Sequence, residues 1–161
     1  MRNLLSAILA LGAALVLSAP LSAQQAPMPP TTPYGPAITL EQAKKAADAA
    51  EAEARKRNMK MAIAIVEPTG DLVYFRKMDD TQYASIKIAQ EKAISAAIFR
   101  RSTKDFFDRV AKGDLSPMAL GRAVASAGGV PIAVNGKIIG AIGTSGGADD
   151  PVAQAGADAL R

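Results

Sequence analysis

The chain contains no cysteine and no histidine. Without cysteine there is no thiol nucleophile, no disulfide framework and no thiolate metal site. Without histidine, the commonest general base, the usual zinc ligand and the usual haem ligand are all missing. Ser145 has no imidazole to activate it, so a Ser-His-Asp hydrolase is excluded. Charge of one sign is also scarce, with 19 basic residues against 15 acidic and a net charge of +4. That excess does not imply nucleic acid, and no dense basic run carries aromatic residues for base stacking. No glycine-rich run leads into Gly-Lys-Ser or Gly-Lys-Thr, so a P-loop is out.

What is present divides into three parts. Residues 1–23 open with Arg2, continue as an apolar run from Leu4 to Leu17 and close Leu21-Ser22-Ala23. A basic start, a short apolar stretch and small residues before a cut describe an export signal, with cleavage expected after Ala23. The run is short for a bilayer span of roughly 20 residues, so the mature chain is expected to be periplasmic or secreted and not membrane-spanning. Residues 24–37 hold Pro27, Pro29, Pro30, Pro33 and Pro36, which oppose helix and central strand alike and read as an extended linker. Residues 38–161 form the third part. A leader of 23 residues taken from 161 leaves 138, enough for one domain. Hydrophobic residues at 49% and charged residues at 21% give the whole chain of 161 a globular balance.

Within residues 38–161, Thr39-Leu40-Glu41-Gln42 is a capping box, and the alanine-rich stretch to Asn58 continues it as helix. Met61 to Glu67 is a short apolar run of strand character, and Pro68 to Asp71 has the turn chemistry to pair it with Leu72 to Met78. Ser85 is placed to cap a helix running to about Arg100. Ser102 opens a short helix to Lys112, and Ser116-Pro117 marks a third start. Val130 to Val134 and Lys137 to Thr144 flank Asn135-Gly136, the strongest short hairpin signal. Asp149 or Asp150 then caps a last helix from Pro151 to Leu160. Two hairpins with no βαβ crossover predict an α+β fold, one antiparallel sheet with helices packed on it.

Few residues here suggest chemistry. The glycines of 128–129 and 140–147 fit tight turns and close strand packing, or a small anion held beside the loop and the last helix. Lys92 lies beside the apolar stripe of its helix. It is either a buried lysine able to hold an anion or act as a base, or a lysine that snorkels at the rim. Asp48 and Glu51 are one helical turn apart, able to share a cation or simply to face solvent.

The ordered motifs 61–67 with Gly70, Arg76-Lys77-Met78-Asp79, Ala84-Ser85-Ile86 with Ala89 and Lys92-Ala93, Gly128 to Ile132 and Gly140 to Gly146 resemble the GlcG/HbpS-like family of small haem-binding or haem-degrading domains. The resemblance runs from about Ile38 to Leu160. It implies a profilin-like fold, a five-stranded antiparallel sheet flanked by helices, and assembly as a homo-oligomer, commonly an octamer. It implies haem as cofactor. A hydroxyl near the start of the lysine helix, Ser85 or Thr81, would face the iron. Lys92 and Arg76 would pair with the propionates, and Asp150 matches the acidic residue before the last helix. Gly129 and Ser145 are weaker contacts. With no histidine, Ser85, Tyr83, Met78 and Lys92 remain as iron ligands. The leading expectation is an exported protein for haem capture, sensing or protection. A module for a small carboxylate or other anion comes next, then a haem-degrading or Lys92-dependent enzyme.

Overall fold

Residues 31–161 are described by the computed structural model, and they form two β-hairpins and four α-helices. Thr39 starts α1 (Leu40–Lys56) as a complete capping box: its hydroxyl accepts from the Gln42 amide at 3.2 Å, and the Thr39 amide donates to the Gln42 side chain at 3.0 Å. The hairpin of β1 (Ala62–Val66) and β2 (Leu72–Lys77) follows. Then come α2 (Ala84–Phe99) and α3 (Thr103–Ala111). The second hairpin pairs β3 (Gly129–Val134) with β4 (Lys137–Ser145). Its turn residues Asn135 and Gly136 have φ of 49° and 71°, both positive as a type I′ turn demands. The chain ends in α4 (Asp149–Asp158).

The strands form a single antiparallel sheet in the order β2-β1-β4-β3. The α+β class read from the two hairpins holds, but the sheet has four strands where the resemblance implied about five. Along the edge of β4 that β1 leaves free runs the extended segment 33–38. It bonds through Gly35 N–H to Ile138 O, Ile138 N–H to Pro33 O and Ile38 N–H to Ile139 O. Pro33 and Pro36 have no amide hydrogen, so this segment makes one parallel bridge and no ladder. Among the described residues, the domain's backbone contacts thus begin at Pro33. The expected export signal, and the expected linker as far as residue 30, lie outside the described residues.

Strand alternation gives the sheet two different faces. Ile63, Ile65, Val130, Ile132 and Ile142 pack with α1 and α4. Ala62, Ala64, Val66 and Ala141 pack with Ala89, Ala93, Ala96 and Ala97 of α2. At the centre of this second face a side chain on Gly143 would overlap the Ala89 carbonyl and the Ala93 amide, so α2 lies directly on strand backbone.

Three local expectations need correction. Tyr83, not Ser85, occupies the N-cap position of α2, and it makes no side-chain capping bond. Ser85 lies inside the first turn because its hydroxyl is drawn into the core, as described below. The start at Ser116-Pro117 makes only one 3₁₀ turn, Ser116–Ala119. Finally, α4 begins at Asp149, ahead of Pro151, with Ala148 in its N-cap position.

Candidate functional site

The junction where α2, the end of β4 and the start of α4 meet gathers most of the buried polar side chains. Gly143, Thr144 and Ser145 carry β4 past α2, and the turn at Gly146-Gly147 delivers Asp149. Lys92, only 1% exposed, reaches this turn from the middle of α2. Its Nζ donates to Asp149 Oδ2 at 2.6 Å and to Thr144 O at 3.3 Å. The other carboxylate oxygen of Asp149 accepts from the Gly146 and Gly147 amides, each at 2.9 Å. Thr144 Oγ1 donates to Asp149 O at 2.6 Å. A side chain on Gly128, whose φ is +116°, would strike Asp149 Cβ, so this glycine makes room for the pair.

Chemically this is a closed arrangement. Lys92 neither snorkels nor offers a free cation: its charge is consumed by Asp149. The turn amides, where a foreign anion would sit, already hold the protein's own carboxylate. One turn or two toward the start of α2, Ser145 Oγ donates to Ser85 Oγ at 3.0 Å, and Gln82 Nε2 donates to Ser85 at 3.1 Å. Thr81 is buried and donates to Met78 O at 2.8 Å. The Gly129 amide donates to Thr103 Oγ1 at 2.8 Å, and Thr103 in turn donates to Ser126 O. No buried side-chain nitrogen or oxygen lacks a partner among the described residues.

The structure therefore brings Lys92, Ser85, Ser145 and Gly129 to one side of the sheet, and it leaves Arg76 on the other. Arg76 is opposite Ile63 in the β1–β2 register and so points toward α1. There its guanidinium bonds Asp48 at 2.8 Å, Glu51 at 2.6 Å and Tyr74 Oη at 2.9 Å. The cation shared by Asp48 and Glu51 is this arginine. Partial burial works against the Arg76 charge, but bonds to Tyr74, Asp48 and Glu51 outweigh it and raise its pKa. Glu51 is held below the usual carboxylate range, first by its bond to Arg55, with burial opposing and Arg76 assisting.

The partner of Lys92 is Asp149 and not Asp150. Two adjacent aspartates cannot be told apart in sequence, because only the turn geometry decides which carboxylate faces inward. Among the iron ligands expected from the sequence, Ser85, Met78 and Lys92 are buried, while Tyr83 is 85% exposed. No group of three or more histidine, cysteine or acidic side chains able to hold a metal ion occurs among the described residues. No helix there is long and apolar enough to cross a membrane.

A small α+β domain with one antiparallel sheet, an alanine-faced helix carrying a buried lysine, and a glycine-rich final hairpin is the class these features define. The family model for haem degrading protein HbpS-like matches residues 38–159, and the chain belongs to that family. Protein GlcG of Escherichia coli is 38% identical over 97 residues, 60% of this chain and 72% of GlcG. A double mutant of HbpS from Streptomyces reticuli superposes with a TM-score of 0.70 at 27% identity, covering 93% of this chain and 99% of HbpS. A PduOC complex with haem superposes with a TM-score of 0.69 at 26% identity, covering 78% and 96%.

Proposed function

We propose that this chain is an exported haem-binding protein that captures, senses or shields haem outside the cytoplasm. The observation that carries the reading is the HbpS-like match across residues 38–159, together with the likeness to a relative whose structure holds haem. Export rests on the character of residues 1–23. The lack of histidine, and a junction whose buried polar groups are all satisfied, favour haem held at the domain's surface by an oxygen or sulfur ligand. Assembly as a homo-oligomer is part of the proposal: Phe107, Leu115, Met118 and Leu120 expose large apolar side chains around α3 and the turn after it.

The competing readings lose support from the same geometry. A carboxylate-binding module at the β4–α4 turn would have to displace Asp149 from two amides and an ammonium. An enzyme that traps a carbonyl on Lys92 would need a free and reachable amine, and this one is buried and paired.

Hemin titration followed in the Soret region, with sizing before and after, tests the proposal. A saturable, stoichiometric shift at micromolar or tighter affinity supports it. A drift without saturation, like that of any apolar surface, overturns it.

A further inference from the structure

We propose that the cavity at the hairpin end of β4 is a ligand site for a monocarboxylate with an apolar body. The cavity has a volume of about 590 Å³ and lies between the segment 33–38, the start of α1 and the β3–β4 turn. Small-molecule sites span roughly 300–1,000 Å³, so it is large enough for one. Pro36, Ala37, Val134 and Ile139 give it apolar walls, and Lys137 and Asn135 add polar groups. Lys137 is in no ion pair among the described residues, and no aspartate or glutamate lines the cavity. The neighbouring groove along α1 differs. Glu41 and Asp48 line it together with Lys44, Lys45 and Arg161, so it selects neither sign of charge.

The walls are fixed before any ligand arrives. The Gly35 amide donates to Ile138 O at 2.8 Å and the Ile38 amide to Ile139 O at 2.7 Å, which holds the segment against β4. Thr39 and Gln42 close the cavity on the α1 side and are spent on each other in the capping box. Asn135 is held by the positive φ of its turn. A side chain on Gly35 would come within 3.0 Å of Lys137 Cβ, so this glycine lets the segment lie on the stem of Lys137. A stem packed in this way has lost part of its rotamer freedom already, which lowers the cost of ordering it around an anion. The ammonium then pairs with the carboxylate, and the apolar body packs on Pro36, Ala37 and Val134, which are exposed or half-buried. A neutral ligand forgoes the ion pair, and a bare anion buries no apolar area. Lys137 and Ser145 are the two ends of the nine-residue β4, roughly 26 Å apart, so the site is separate from the Lys92–Asp149 junction. Neither haem nor iron enters the proposal, and it does not rest on the haem reading.

Calorimetric titration of the full-length protein with naphthoate, naphthamide and acetate, without haem, tests the site. Naphthoate is expected to saturate at one site per chain, with naphthamide and acetate weaker by about tenfold or more. Lys137→Glu should weaken naphthoate by about tenfold or more, and Lys137→Arg should keep it. Ala37→Trp fills the cavity from an exposed position and should abolish binding while leaving the urea midpoint unchanged. Affinity should also fall as salt rises, because an exposed ion pair is screened. Naphthoate that never saturates overturns the proposal. So does saturable binding that survives both Lys137→Glu and Ala37→Trp, or that is lost instead with Leu115→Ser in the exposed patch around α3. Equal affinities for naphthoate and naphthamide overturn the assignment of a carboxylate.

Discussion

The two faces of the sheet are built from different materials, and each carries one of the two cations that looked equivalent in sequence. On the α1/α4 face, isoleucines fill the space, and Arg76 sits at the rim among Asp48, Glu51 and Tyr74 with a quarter of its side chain still exposed. On the α2 face, alanine and glycine bring helix and strand backbones into contact, and Lys92 is sealed between α2 and α4 with a single carboxylate. The lesson concerns dielectric surroundings. An ion pair at a wet rim contributes little, about 0–1 kcal/mol. Removing one partner of a buried pair strands the other charge away from water, at about 3–5 kcal/mol.

The largest expected effect follows directly. Lys92→Ala should lower unfolding stability by about 3–5 kcal/mol in urea melts, whereas Arg76→Ala should lower it by about 1 kcal/mol or less. Equal losses at the two sites would erase the distinction between the faces. A sharper form replaces both members of the buried pair. Lys92→Met with Asp149→Leu should recover much of the Lys92→Ala loss, since exchanging a buried pair for apolar residues is often neutral. The turn amides that Asp149 satisfies set a limit to that recovery.

Packing gives the next effect. Gly143→Ala drives a methyl group into the α2 backbone and should cost about 1–3 kcal/mol or more, read from the denaturation midpoint. On the other face Ile63→Val only trims a side chain, and about 0.5–1.5 kcal/mol is expected. A Gly143→Ala variant as stable as the wild type would mean that α2 can lift off the sheet without penalty.

The smallest effect is the pH dependence at the rim. Glu51 titrates below its ordinary value of 4.5 in the folded state, so it stabilises the fold above that value and loses this contribution as pH falls through the lowered one. The stability difference between wild type and Glu51→Gln should therefore be present at pH 6 and shrink toward pH 3. A difference that grew on acidification would contradict the sign of this linkage.

Much of the fold was legible because its signals are local. Thr39 and Gln42 satisfy each other within one turn, and Asn135-Gly136 specifies a hairpin with two adjacent residues of positive φ. The site was harder to read. Arg76 and Lys92 share a charge, but whether they share a site depends on strand parity, since Arg76 faces whichever side Ile63 faces. A serine near a helix boundary suits a cap, which is why Ser85 reads as a helix start from local sequence although Tyr83 holds the N-cap position. Here a distant residue, Ser145, claims the hydroxyl instead. The choice between Asp149 and Asp150 had no local signal at all.

By itself the sequence determined the elements, the two hairpins and the family, along with the absence of any nitrogen or thiolate ligand from histidine or cysteine. These follow from residue identity and from interactions within a few positions along the chain. Tertiary structure alone decided which polar groups remain available. It buried Lys92, Ser85 and Thr81 against partners up to 60 residues away, and it left Tyr83 in solvent. Availability is a property of packing, because a side chain's partners are chosen by what the fold lays across it and not by its neighbours in the chain.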